Sequence, residues 1–233
     1  MDIVYINKPG DDNEELRHSL RSLSNLPHDS VWIAGHCPDW VRGVGRLELE
    51  PLPDKWENIN ASTRAVCSDD RISDDFILFN DDHFVVAPVD KLPVWHLGRL
   101  SRLIALLEGR GLQDNSWLDG LRATAAQMAA WGYKNPMAYE AHIPLAFNRR
   151  RLAWMLDNAT HKPFLPGAAY SATGFATGRV GDNVKCVDGQ ELLTNIMQGF
   201  PLLSTEDYAF ASGPVGEYVR NLFPNPGPYE EAS

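Results

Sequence analysis

Apolar residues in this chain fall into short unbroken runs that alternate with stretches of helical spacing. Runs at 3–6, 31–34 and 76–79 are rich in β-branched and aromatic residues and have polar or turn-forming flanks, so they read as buried strands. Leu16, Leu20 and Leu23 recur at i, i+4 and i+7, which predicts a helix over 13–23 capped by Asp11 or Asp12. Leu47-Glu48-Leu49 is a further strand candidate, and a helix over 57–67 leads into the 76–79 run. The order strand–helix–strand–strand–helix–strand belongs to a mostly parallel sheet covered by helices.

Beyond residue 90, apolar spacing predicts helices over 97–107, 116–131, 149–156, 191–197 and 215–222. Residues 137–144 read as an extended segment of mixed polarity and 202–205 as a strand end. The stretch 162–185 is rich in Gly, Pro, Ser and Thr without periodicity, which marks a long loop that is either functional or mobile. Pro224-Asn225-Pro226-Gly227-Pro228 opens a tail, 224–233, expected to be flexible.

Composition narrows the class only modestly. With 233 residues, 44% hydrophobic and 22% charged, the chain is of ordinary globular make-up and long enough for one large α/β domain. A net charge of −10 opposes non-specific nucleic-acid binding, although a local basic groove could override it. No apolar run approaches the roughly 20 residues needed to span a bilayer, and the start carries no basic leader or signal-peptide core. The odd cysteines Cys37, Cys67 and Cys186 form no CxxC pair. The expectation is a cytoplasmic protein without disulfides, structural zinc or membrane insertion.

The candidate chemistry lies at Asn80-Asp81-Asp82, where the 76–79 run stops abruptly before Phe84-Val85-Val86. Carboxylates at the carboxyl end of a buried strand stand where open α/β sheets bind ligands, and hard oxygen donors suit Mg²⁺ or Mn²⁺. Asn and Asp also form ordinary turns, so the residues alone leave the metal and turn readings in balance. On strand alternation His83 should point away from Asp82, and Asp74 and Asp75 read as the entry turn of the same run. Arg17 and Arg21 form a basic stripe beside the apolar face of the first helix, most simply a solvated face.

Several segments, in order, resemble the Stealth-type sugar-phosphate transferases. Asp2-Ile3-Val4-Tyr5 followed by 13–22 is similar to that family's "DIVYTWVDG" strand and "NELRYSLRS" helix. Val31 to Gly35 with Pro38 and Trp40, then 76–84, then Ala141-His142-Ile143-Pro144, resemble its later blocks "IYIVTDG…PxW", "FIYFNDDVFL" and "H-x-P". The similarity is closer to small glycosyltransferases of actinobacterial phages, which share a C-terminal signature resembling Asp182-Asn183-Val184-Lys185, Leu203-Ser204-Thr205-Glu206-Asp207 and Phe223-Pro224. The chain departs from the common D-x-D metal motif at Asn80, and from the Stealth "WVDGSD" loop at 7–12.

The resemblance implies a GT-A-like, Rossmann-like α/β fold over 1–223, with a donor-binding part at about 1–90 and an acceptor part at about 91–223. It implies a transferase using a nucleotide-diphosphosugar, a UDP-sugar above all, with Mn²⁺ or Mg²⁺. The acceptor would be a hydroxyl on a protein, a glycan or a modified DNA base. In those roles Asp82 and His142 are the candidate metal ligands. Tyr5, Asn7, Arg17, Arg21, Asn80, Asp81 and Lys185 are the candidate donor-binding residues, with Tyr5 either stacking on the base or lying in the core. Asp207, then Glu140 and Asp182, are the candidate general bases. The alternatives are a Stealth-like sugar-1-phosphate transferase and a non-catalytic nucleotide-sugar-binding protein.

Overall fold

The computed structural model describes residues 1–10, 12–111, 115–175 and 178–231. Its first half runs β1 (Asp2–Asn7), α1 (Glu14–Ser22), β2 (Val31–Gly35), β3 (Gly45–Leu47), α2 (Lys55–Ser68), β4 (Asp75–Phe79), β5 (His83–Val85) and β6 (Trp95–His96). Next come α3 (Leu100–Gly109), α4 (Ser116–Ala130), β7 (Leu145–Asn148), α5 (Arg149–Asn158), α6 (Pro166–Tyr170), β8 (Arg179–Val180) and β9 (Lys185–Cys186). The chain closes with α7 (Gly189–Gln198), β10 (Leu202–Thr205), α8 (Asp207–Ser212) and α9 (Pro214–Leu222).

The central sheet has the order β3-β2-β1-β4-β7, and only β7 is antiparallel to its neighbour. Because β1 is flanked by β2 and β4 and covered on both faces, Ile3, Val4 and Tyr5 are all fully buried, which is why this strand reads as an unbroken apolar run. The α1 and α2 connections cross the sheet in opposite directions, so right-handed crossovers place these helices on opposite faces. Leu16, Leu20 and Leu23 bury the inner side of the α1 segment. The protein is therefore α/β, with a mostly parallel central sheet flanked by helices, compatible with a Rossmann-like fold.

A second sheet, β5-β10-β9, begins immediately after the Asn80–Asp82 turn. β5 pairs with β10 on one side, and α1 satisfies part of its backbone on the other. The Ser19 hydroxyl donates to the His83 carbonyl, the Val85 amide donates to Ser22 Oγ at 3.0 Å, and Asn25 Nδ2 donates to the Val85 carbonyl at 2.8 Å. Buried backbone groups need such partners, which accounts for two fully buried serines on a helix face that packs against a strand.

Several expectations are corrected. The helix cap is Asn13, whose side chain accepts from the Leu16 amide; Asp11 lies outside the described residues. β3 begins at Gly45 rather than Leu47, because the Trp32 ring lies where a side chain at 45 would stand: a Cβ there would come within 2.2 Å of it. The stretch 162–185 contains α6, a π-helical turn over Ser171–Phe175, β8 and β9, elements too short to show a period. The short elements β7 and α8 went unseen for the same reason.

The tail is packed through residue 231. Glu230 forms a bridge with Val41, the Arg42 amide donates to the Tyr229 carbonyl, and the Tyr229 hydroxyl meets His28 Nε2 at 2.6 Å. The Glu230 carboxylate takes Arg21 Nε at 2.6 Å, Arg17 Nη1 at 2.9 Å and the Gly227 amide at 2.8 Å, and its side chain is 3% exposed. Burial alone would raise this carboxyl; hydrogen bonds from Arg21, Gly227 and Arg17 outweigh it and hold it at about 2. Proline and glycine shape the segment, and one carboxylate anchors it.

Removing one partner of a buried ion pair leaves uncompensated charge and costs about 3–5 kcal/mol. Glu230→Ala should therefore lower unfolding stability by about 3 kcal/mol in urea denaturation at pH 7. The Glu230 carboxyl is depressed on folding, so its contribution is present above pH 4.5 and is lost as pH falls toward 2. Glu230→Gln should flatten that acid limb.

Candidate functional site

The strand order reverses direction between β1 and β4, and ligands of open α/β sheets bind in the crevice outside the carboxyl ends of strands at such a point. Asn7 and Lys8 leave β1 there, Asn80, Asp81 and Asp82 leave β4, and Asn13 starts α1 alongside them. Asn13 ties the three together. Its Nδ2 donates to Asn7 Oδ1 at 2.8 Å and to Asp81 Oδ2 at 2.9 Å, while its Oδ1 caps α1. Asn7 Nδ2 in turn donates to the His36 carbonyl at 2.7 Å. The next residue on β2, Gly35, has φ +99°, and a Cβ there would sit 2.4 Å from the Asn7 carbonyl oxygen, so this approach needs glycine.

The end of β10 supplies the opposite wall. Successive residues of a strand face opposite sides, so Ser204 donates to Asp82 Oδ2 at 2.8 Å while Thr205 donates to Glu15 Oε1 at 2.6 Å. Glu206 Oε1 lies 3.0 Å from Lys185 Nζ, which is also 3.5 Å from Asp82 Oδ2. Asp207 pairs with Lys8 at 2.9 Å on the open rim. Five carboxylates, of Glu15, Asp81, Asp82, Glu206 and Asp207, thus stand near two ammonium groups.

Burial pushes Asp82 up, but His83, Lys185, the Ser204 hydroxyl and His142 outweigh it, so it is held below the usual carboxylate range. Burial raises Asp81, against the Asn13 hydrogen bond and with help from Asp82. Burial also raises Glu15, opposed by the Thr205 hydroxyl and reinforced by Asp81, Asp82 and Asp207, to about 7. Lys185 is half-buried yet stays cationic, because Asp82 and Glu206 more than offset its desolvation.

Both histidines are neutral, and their hydrogen bonds fix their tautomers. Burial brings His83 down to about 4, and its Nδ1 accepts from the Asn80 amide at 3.2 Å, so Nε2 carries the proton. That Nε2–H is buried without a hydrogen-bond partner, 3.9 Å from Asp82 Oδ1. Burial, then Lys185, lowers His142. Asn183 Oδ1 accepts from the Lys185 amide at 3.1 Å, which fixes the orientation of the amide group. His142 Nδ1 must then donate to that oxygen, at 2.9 Å, leaving the Nε2 lone pair free. His142 adopts φ +52°, an uncommon conformation for a residue other than glycine.

These features fit a divalent cation in part. Among the described residues Asp82 Oδ1 takes no hydrogen bond, and the His142 tautomer leaves Nε2 open to a metal, with its second nitrogen held by an amide oxygen. Among the described residues, no group of three or more His, Cys, Asp or Glu side chains is arranged to hold a metal ion. A cation here would need oxygens from a ligand to complete its shell.

Other candidates lie elsewhere. Tyr5 is fully buried in the core, with its hydroxyl on Ser19 Oγ at 2.8 Å, so it offers no face to a base. Arg17 lies over the Trp40 ring at 4.0 Å and binds Glu230, and Arg21 binds Glu230 and the Phe223 carbonyl at 3.0 Å, so the tail occupies both. Asp182 is exposed and contributes its backbone carbonyl to Trp95 Nε1 at 2.7 Å. Glu140, raised by burial, accepts from Trp117 Nε1 at 3.4 Å, two residues before His142. The exposed Asn80 side chain has no hydrogen bond among the described residues; its backbone closes the turn. That turn also rotates His83 toward Asp82, against simple strand alternation. Asp74 and Asp75 sit at the far end of β4, bound to Arg149 and Asn148.

Lys8, Asn13, Glu15, Ser204, Thr205 and Glu206 were missed as site residues. Asn13 was detectable, since Asn before two glutamates and an apolar helical period is a cap signature. Glu15 reads only as a dipole-favoured acid of a first turn. No family model matches the chain, and no curated protein matches it.

Glu15 makes the protein's stability fall as pH rises from about 4.5, its ordinary value, to about 7, above which the penalty is constant. Glu15→Gln keeps the Thr205 hydrogen bond and removes the titration. It should leave stability near pH 4.5 almost unchanged and raise it at pH 8 by roughly 3 kcal/mol, read by chemical denaturation at both pH values.

Proposed function

We propose that this chain is a cation-dependent glycosyltransferase with a GT-A-like arrangement, moving a sugar from a nucleotide-diphosphosugar, a UDP-sugar first among them, to an acceptor hydroxyl. The observation that carries the reading is the pairing of Asp82 with Lys185 beside the β1–β4 switch point, with His142 held nearby through Asn183, whose Oδ1 also takes the Lys185 amide. There a carboxylate oxygen and an imidazole lone pair are both unused among the described residues, beside a half-buried ammonium. The ordered resemblance to phage glycosyltransferases and Stealth-type enzymes supports the same assignment.

Asp82 and His142 would hold Mn²⁺ or Mg²⁺. When bound, the ion neutralises charge on the departing diphosphate. Ser204 and Lys185 fix Asp82 through its Oδ2, leaving Oδ1 for that contact. Lys185 adds a second positive charge for the phosphates, replacing the arginines of α1 in that role. Asn13 locks Asn7 and Asp81 as the floor beneath the donor. Asp207, on the exposed rim and paired with Lys8 at 2.9 Å, would be the carboxylate that takes the acceptor proton. Acceptors in this reading are a glycan, a protein or a modified DNA base. The excess of acids around the site makes duplex DNA the least suitable.

The test is incubation with a panel of UDP-sugars, with and without Mn²⁺, followed by analysis of the released nucleotide. Mn²⁺-dependent UDP release is expected, with Asp82→Asn and His142→Ala each reducing it about 100-fold or more while circular dichroism is unchanged. Release of UMP would move the assignment to sugar-1-phosphate transfer. Binding without release would make the chain a nucleotide-sugar-binding protein, and neither binding nor release would overturn the proposal.

A further inference from the structure

We propose that Trp117 and Glu140 form an acceptor subsite that seats a pyranose ring, so that the acceptor hydroxyl belongs to a glycan. The inference rests on the glycosyltransferase reading above and narrows its acceptor to a sugar hydroxyl. It starts from a contact between two elements. Trp117, at the start of α4, donates its indole Nε1–H to Glu140 Oε2 at 3.4 Å. Its ring also lies against that of His142, with 6.4 Å between centroids and 46° between planes. One tryptophan thus links Glu140 to the candidate site.

Both sides of this contact are held in place. Asn115 Oδ1 accepts from the Trp117 amide at 2.8 Å, and the Trp117 side chain packs against the apolar cluster that includes Leu100, Leu103 and Leu118. Across from it, Ala138 exchanges backbone hydrogen bonds with Leu97 and Gly98, and the Ala141 carbonyl accepts from the Val184 amide at 3.2 Å. Ala141 and Ile143 are buried, whereas Glu140, His142 and Trp117 are half-buried. Glu140 Oε2 is taken by Trp117. Among the described residues Oε1 takes no hydrogen bond or ion pair, and it is not sealed from solvent.

A pyranose carries C–H bonds on its faces and hydroxyls around its rim, so a flat apolar surface beside a hydrogen-bond acceptor recognises it. Trp117 supplies the surface. Indole is large, rigid and flat, and here its one polar group is already bound, so stacking leaves no donor stranded. Glu140 Oε1 supplies the acceptor, and a hydroxyl bound to a carboxylate makes a short, strong hydrogen bond. The other acceptor classes fit less well. An oligonucleotide brings phosphates that Asp82, Glu140, Glu206 and Asp207 repel. A peptide recognised through its backbone needs a free strand edge, and the backbones of Ala138 and Ala141 are already engaged.

The experiment measures nucleotide release by the whole chain from the UDP-sugar panel with Mn²⁺, in water alone and with each of three acceptor sets. These are methyl glycopyranosides, a peptide containing serine and threonine, and an oligonucleotide carrying hydroxymethyl bases. The pyranosides should accelerate release above the rate in water, and the other two sets should not. Trp117→Ala and Glu140→Gln should each raise the pyranoside KM about tenfold or more, with kcat within about threefold of the wild type. Trp117→Phe keeps a stacking face and loses the bond to Glu140, so its KM should lie between those of the wild type and Trp117→Ala. Calorimetric titration with UDP should give wild-type affinity in every variant, which separates loss of the subsite from loss of the fold. Release that no pyranoside accelerates, or a pyranoside KM unchanged in both Trp117→Ala and Glu140→Gln, would overturn the inference while leaving the transferase reading intact. No nucleotide release from any UDP-sugar would overturn both.

Discussion

Leaving one sheet and entering another within three residues is the constraint on which this molecule turns. β4 ends at Phe79 and β5 begins at His83, so Asn80, Asp81 and Asp82 must reverse the backbone where two sheets meet. Such a junction strands backbone polar groups away from water, and each needs a partner. The Asn80 amide finds His83 Nδ1, the His83 carbonyl finds Ser19, and the Val85 amide finds Ser22. Tyr5, from the middle of β1, completes the set through Ser19. The first helix is therefore more than an apolar lid, because its buried hydroxyls stand in for a missing strand.

The same junction explains the site's electrostatics. Acidic side chains fall at the seam because the turn places them there, and the walls on either side desolvate them. The protein answers each in a different way. Asp82 receives a hydroxyl and an ammonium, Asp81 receives a carboxamide, and Glu15 receives a single hydroxyl. Three carboxyls within one crevice thus hold their protons with different strength, which is the ordinary means by which a fold separates chemical roles among identical groups.

Much of the fold was legible in the residue pattern. The buried strands β1, β2 and β4 and the helices α1, α2 and α4 have periods long enough to read. What escaped was short or non-local. β7 and α8 span four and six residues, and the π turn after α6 has no distinctive spacing. At the site, Asp82, Asp81, Asn7, His142 and Lys185 all lie at or beside the crevice, picked out by their place in recognisable blocks. Ser204, Thr205 and Glu206 reach it only because β10 pairs with β5 and β9, an alignment no local pattern encodes. The arginines of α1 were misread for a related reason: their partner lies more than two hundred positions away.

That separation bears on how the molecule is made. Arg17 and Glu230 are 213 residues apart, among the most distant pairings in the chain. Contacts of such reach form slowly, since the ends of a long loop must meet before anything is gained. During synthesis the two arginines of α1 cannot take this partner until the whole intervening stretch has followed them. The crevice can take its rough shape from pairing among strands closer in sequence, whereas the clamp on its first helix waits for that long interval to be closed.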